Sequence, residues 1–234
     1  MGILDKWIVA KAQIVFDEAH KQFSIHNFVG GMSALNFFIV NELSGIFMDI
    51  TKDRLYCDAK DDAHRRAAQS AMAMITRSML GLIAPILTYT ADEIMESAPA
   101  VIKGDMENIF DMCYTPIDVA YSLFEEVYMV SAREGFSEVV DGLKKEKRIK
   151  NTLELAIYTE SEKIKALPET EAEDWFVVSG IKSGEPAETL GEFTVEGDTF
   201  VIGLATAAKC PRCWKFQSHD EASLCERCSK VMHV

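Results

Sequence analysis

Lys209-Cys210-Pro211-Arg212-Cys213-Trp214-Lys215, followed after a polar loop by Leu224-Cys225-Glu226-Arg227-Cys228, is the stretch from which the architecture is read. Two Cys-x-x-Cys pairs are separated here by the eleven residues Trp214 to Leu224. A two-residue spacer turns both thiolates of a pair toward one ion, and the loop brings the second pair round to close a tetrahedron. Four thiolates leave no open coordination position, so Cys210, Cys213, Cys225 and Cys228 are expected to hold one structural zinc ion and not to activate water. An all-sulfur tetrahedron also suits iron. Two disulfides, or four unrelated cysteines, are the competing accounts.

The 234 residues suffice for more than one domain, and 48% apolar against 26% charged residues is ordinary globular composition. The amino terminus lacks the basic flank and apolar block of a signal peptide, and apolar runs such as Phe37 to Val40 are too short to span a bilayer. A cytoplasmic location, no membrane and a reducing compartment are expected, which favours metal over disulfide. Cys57 and Cys113 stand alone and read as small buried residues.

A net charge of -13 argues against a general nucleic-acid binder, but its distribution matters more. Residues 1–132 hold 10 basic and 18 acidic side chains, residues 133–208 hold 9 and 16, and residues 209–234 hold 5 and 3. Only the cysteine ribbon is net basic. A local basic run, Lys144-Lys145-Glu146-Lys147-Arg148-Ile149-Lys150, has a solvated helix end as its plain explanation.

Helical periodicity dominates the first half. Leu4, Trp7, Ile8, Ile14, Val15 and Phe23 share a face. Asn27 caps an apolar helix through Met32, Leu35, Phe38 and Ile39, bent at Gly45. A third helix runs from Asp61-Asp62 to Ile83 and stops at Pro85, and Thr90 with Glu93 reads as a capping box. A loop follows from Pro99 to Pro116, then a helix from Tyr121 to about Lys147 through Leu123, Val127 and Phe136. Beyond it the period shortens. Leu153 to Tyr158, Trp175 to Val178 and Phe193 to Val195 read as strands, and Glu196-Gly197-Asp198 as a hairpin turn into Thr199 to Ile202. A short helix is read around Glu162 to Leu167, and residues 160–174 and 182–192, acidic and polar, otherwise read as exposed loops. The expected fold is mainly α: a helical bundle over 1–120, a long helix with a small α+β module over 121–208, and a zinc ribbon over 209–234. No phosphate loop or nucleophile motif is recognisable.

In this order, Asp5-Lys6-Trp7-Ile8, the helix ending Asp49-Ile50-Thr51-Lys52-Asp53-Arg54-Leu55-Tyr56, the basic helix before Leu153-Glu154-Leu155 and the Cys-Pro-Arg-Cys-Trp ribbon carry a resemblance. Across essentially its whole length the chain resembles the carboxy-terminal part of bacterial isoleucyl-tRNA synthetases, class I aminoacyl-tRNA synthetases. The resemblance implies an anticodon-binding bundle, then a junction and zinc region gripping the anticodon side of tRNA for isoleucine. Those enzymes carry His-x-Gly-His and Lys-Met-Ser-Lys-Ser signatures in an ATP-binding catalytic domain, and neither occurs here. The resemblance therefore implies a catalytically inactive piece of an ATP-dependent ligase, expected to be a monomer, with the parent's catalytic domain as a second partner. Trp214 is the candidate base-stacking platform, with the covering of the metal as its other explanation. Arg212, Lys215, Lys144, Lys145, Lys147, Arg148, Lys150, Lys52 and Arg54 are candidate RNA contacts, with a structural ion pair as the other explanation of Arg54. A zinc-ribbon module that docks protein without tRNA selectivity is the alternative. A zinc-ribbon DNA-repair enzyme is disfavoured by the absence of a recognisable catalytic amino terminus.

Overall fold

The computed structural model describes residues 1–121 and 124–232 and divides into two compact units, Met1–Asp49 with Ala63–Leu123, and Ile50–Asp62 with Phe124–Val234. The expected Leu123 position lies outside the described residues.

The first unit is helical. Helix α1 (Ile3–Ser24) starts where the buried Asp5 carboxylate accepts the Gly2 N–H at 3.0 Å, filling a position that the helix dipole favours for an anion. Its buried face is Leu4, Trp7, Ile8, Ala12, Phe16 and Ala19, whereas Ile14 is exposed. Asn27 caps α2 (Phe28–Phe37), its side-chain oxygen accepting the Gly30 N–H at 3.1 Å. The helix then widens into a π-helical run, Phe38–Met48, in place of the bend expected at Gly45, and resumes as α3 (Asp49–Cys57). Phe38 packs edge-on against Phe16 at 5.6 Å. Helix α4 (Ala63–Ile83) ends before Pro85 as read from sequence. Gly81 lets the Cys113 segment approach, since a Cβ there would stand 2.6 Å from the Cys113 carbonyl oxygen. Helix α5 (Thr88–Ser97) has no side-chain cap; the Thr88 hydroxyl donates back to the Ala84 carbonyl, so the capping box expected at Thr90 does not form. Short α6 (Ala100–Lys103) lies within the expected loop, and Cys113 is exposed, not buried.

By length and composition the continuous helix Phe28–Cys57 could cross a membrane, with a mean hydropathy of 1.2 in its most apolar window and 22% of that window buried. The apolar runs read from sequence are thus parts of one longer helix. It also carries charges fixed by protein partners: Glu42 pairs with Lys11 at 2.9 Å, and Arg54 is buried against Asp174.

In the second unit, α7 (Phe124–Lys145) covers a four-stranded sheet of order β2-β1-β4-β3. Strand β1 (Leu155–Thr159) runs parallel to β2 (Gly180–Lys182) and antiparallel to β4 (Asp198–Leu204), which pairs with β3 (Gly191–Val195) through the expected hairpin. All five residues of β1 are buried, as befits a central strand. Phe136 of α7 meets Phe176 at 5.5 Å, and Phe193 stacks on Phe200 at 4.7 Å. The β1–β2 crossover contains α8 (Glu162–Lys165) and α9 (Glu169–Phe176). Trp175 and Phe176, expected in a strand, end α9 because Ala172, Trp175 and Phe176 form one helical face. Val177 at φ 54° then stops the helix in a left-handed cap. The 160–174 stretch is accordingly not an exposed loop: Glu171, Glu173 and Asp174 are buried.

Candidate metal centre and nucleic-acid interface

The ribbon begins with β5 (Ala208–Lys209), which pairs with β6 (Phe216–Ser218). Between the strands, the Trp214 N–H donates to the Cys210 carbonyl at 3.0 Å and the Cys210 N–H to the Lys215 carbonyl at 2.9 Å, closing the first Cys-x-x-Cys turn. Cys225 precedes α10 (Glu226–Met232), and Cys228 lies in that helix's first turn. All four cysteines are buried, with sulfurs within 4.8 Å of one another. Cys213 and Cys225 Sγ are 3.7 Å apart, close to the ~3.8 Å edge of a tetrahedron with ~2.3 Å zinc–sulfur bonds. Burial opposes ionisation of Cys210, but the N–H groups of Cys213, Cys225 and Arg212 aimed at its sulfur bring that thiol down to about 6. Burial pushes the Cys213 and Cys225 thiols up. Four thiolates in this space require a cation to compensate them, and the donor set fits one metal ion with no open position.

Charged side chains surround this cluster. Arg212 donates to the Cys57 carbonyl at 2.6 Å and lies 3.4 Å from Cys228 Sγ. Arg227 forms a fork with both carboxylate oxygens of Asp53 and reaches Asp58 at 3.3 Å. Burial would raise the Asp53 carboxyl, but the Arg227 guanidinium holds it below the usual range; at Asp58 burial prevails and the carboxyl is raised. Arg54, fully buried, donates Nε–H to Asp174 at 2.8 Å. Lys215 is 4% exposed and pairs with Glu173 at 3.1 Å and Asp174 at 3.4 Å. Burial would lower the Lys215 amine, but these two carboxylates hold it above its usual value.

The expected RNA contacts therefore separate. Arg54 and Lys215 are corrected: both are buried in ion pairs and present no surface to RNA. Arg212 is half-buried and directed at Cys57 and Cys228. Lys144, Lys145, Lys147 and Lys150 are exposed, as is Arg148, which pairs with Glu188 at 3.3 Å. Arg148 also donates to the Leu190 carbonyl at 3.4 Å, and the Lys150 backbone N–H donates to Glu154 at 3.3 Å. Lys52 is exposed, beside the half-buried Asp53. Trp214 is 61% exposed, and the Lys209 amine lies 5.4 Å above its ring. Its φ is +67°, a left-handed conformation that a bulky residue adopts at a cost of ~1–3 kcal/mol. Sequence reasoning missed Arg227, Lys209, Glu173 and Asp174. The helical spacing of Ala172, Trp175 and Phe176 was the available sign that the two acids sit on a packed helix.

Residues 5–159 match the family model described as the anticodon-binding domain of tRNA ligase. The chain is 64% identical over all 234 residues to an isoleucine--tRNA ligase of Sulfurimonas denitrificans, 26% of whose length is covered. It is 58% identical over 231 residues to that of Nitratiruptor sp., with 99% of this chain and 25% of the relative covered. For the Sulfurovum sp. ligase the identity is 53% over the same coverage. The chain thus spans about a quarter of the length of these relatives.

Proposed function

The chain belongs to the family of tRNA-ligase anticodon-binding domains, and we propose that it grips the anticodon stem-loop of isoleucine tRNA for an ATP-dependent isoleucine–tRNA ligase. Amino-acid activation, and with it ATP, belongs to other parts of that ligase, and this chain alone performs neither activation nor transfer. One zinc ion fixes the ribbon. The protein acts in the cytoplasm as a monomer.

The observation that carries this reading is Trp214. Trp214, directly after the second cysteine of the turn, has a left-handed backbone, for which glycine is the low-energy choice. A tryptophan placed there and 61% exposed supports a platform over a metal cover or a core residue. RNA bases are read where they are unstacked, and a rigid indole with a cation over one face suits stacking worth ~1–3 kcal/mol per base. Lys144, Lys145, Lys147, Arg148, Lys150 and Lys52 supply phosphate contacts, and the surrounding acidity discourages indiscriminate RNA binding. Arg212 positions Cys228 and the Cys57 carbonyl and does not touch RNA.

Trp214→Gly tests the reading without sacrificing the fold, because glycine relieves the left-handed strain. Zinc content and melting temperature should be retained or improved, while tRNA affinity falls by about 5- to 150-fold. Unchanged affinity with zinc in place would refute the platform.

A further inference from the structure

A cavity of about 230 Å³ opens beside the outer edge of β2, between the sheet and the ribbon strand β6. Its lining includes two small residues, Ala156 and Gly180, which are register partners on β1 and β2. Phe216 and Gln217 of β6, Glu173, Lys182 and Thr206 also line it. The volume lies below the ~300–1,000 Å³ of drug-sized sites and suits one flat ring system.

Three features give the cavity a chemistry. Strand β2 is an edge strand, so one row of its backbone groups lacks a strand partner. The Ser179 N–H donates to Leu155 on β1, so by parallel alternation the Gly180 N–H and C=O face away from β1, along the outer edge of β2. The Gln217 amide nitrogen is held by Glu173 and the Ser179 carbonyl, which orients its oxygen as an acceptor. The Lys182 amine lies 3.4 Å from the Thr206 hydroxyl, adding a cation beside the opening.

Gly180 is the telling residue. A Cβ at Gly203 would stand 2.4 Å from Pro186, so packing demands that glycine. A Cβ at Gly180 would meet only Lys182 Cε at 3.7 Å, and its backbone φ is not in the left-handed range. Neither the packing of β2 nor its backbone requires glycine there. A glycine in a strand without such a cause marks a place where something approaches the backbone closely.

We infer that this cavity is a slot for one nucleobase of single-stranded RNA, set against the outer edge of β2 at Gly180 and read by the Gly180 backbone pair and the Gln217 amide. The inference rests on the tRNA-binding reading above. Phe216 follows Trp214 by two residues, a reach of about 6–7 Å along an extended chain. That spacing suits adjacent bases, one stacked on Trp214 and its neighbour in the slot, with Lys182 on the connecting phosphate. An added peptide strand is the rival occupant, but three residues of β2 offer it few main-chain bonds.

The test uses the zinc-loaded chain, tRNA and the four nucleoside 5′-monophosphates. Monophosphates should shift the NMR signals of the Gly180 and Lys182 amides and the Gln217 side chain. Gly180→Val should keep the fold and melting temperature, abolish those shifts and weaken tRNA binding about tenfold. Lys182→Gln, at an exposed position, should weaken tRNA binding and reduce its salt dependence. Should Gly180→Val and Lys182→Gln bind tRNA like the unaltered chain while Trp214→Gly does not, the slot is wrong and the tRNA reading stands. No loss with any of the three variants would overturn both. Shifts caused by an extended valine–threonine peptide, and by no monophosphate, would overturn the slot in favour of strand addition.

Discussion

Replacing Arg54 with methionine should unfold the second unit at markedly lower temperature while leaving the proposed RNA-facing surface unaltered. Arg54 is fully buried and its Nε lies 2.8 Å from Asp174. Breaking a buried pair by removing one partner costs ~3–5 kcal/mol, mainly because the other charge stays behind. Here Asp174 keeps Lys215 at 3.4 Å, and methionine refills much of the arginine stem, so the loss should be near the lower end, ~3 kcal/mol. For a unit of this size, ~4 °C per kcal/mol converts that into a fall of ~12 °C in Tm. Differential scanning calorimetry measures it, and a cycle with Asp174→Asn should show a coupling of at least ~1 kcal/mol. A Tm shift below ~3 °C accompanied by weakened tRNA binding would refute the structural assignment and return Arg54 to the RNA surface.

Metal removal should act through the same contacts. Stripping the ion with a chelator should release the ribbon and, with it, the Arg227–Asp53 and Arg212–Cys57 contacts, and cobalt reloading should give the thiolate-to-metal absorption of a four-sulfur tetrahedron, read by spectrophotometry. The pH response of Lys215 has a fixed sign. Its folded pKa is raised, so its stabilisation is fully present below the ordinary value of 10.5 and is lost as pH rises through the higher folded value. Urea midpoints between pH 8 and about 12 should therefore fall more for the unaltered chain than for Lys215→Met. Asp53 behaves in the opposite sense. Its folded pKa is lowered, so its contribution is present above the ordinary value of 3.8 and is lost as pH falls through the lower folded value; Asp53→Asn should flatten that part of the acid unfolding curve.

The cluster of four cysteines that could hold a metal ion was legible because Cys-x-x-Cys spacing is local: four residues and one loop specify it. The bundle helices were legible through their 3.6-residue period, and Asn27 through its cap chemistry. What the sequence did not disclose is long-range pairing. Arg54 and Asp174 are 120 positions apart, and Arg227 and Asp53 are 174 apart. Nothing local distinguishes Lys215, buried beneath Glu173 and Asp174, from a solvated lysine beside an RNA site. The strand expected at Trp175–Val178 failed for a related reason: a run of aromatic and β-branched residues has strand propensity, but its helical face packs against Phe136. Trp214 was visible as a candidate, whereas its left-handed backbone and its exposure belong to the fold.

The most direct measurement is binding of the chain, with its zinc verified, to isoleucine tRNA and to a tRNA of another specificity over a salt series. The account predicts a preference for isoleucine tRNA that persists as total affinity falls with salt. Equal or absent binding of the two tRNAs, with zinc bound and the fold intact, would contradict it and favour a ribbon that docks protein.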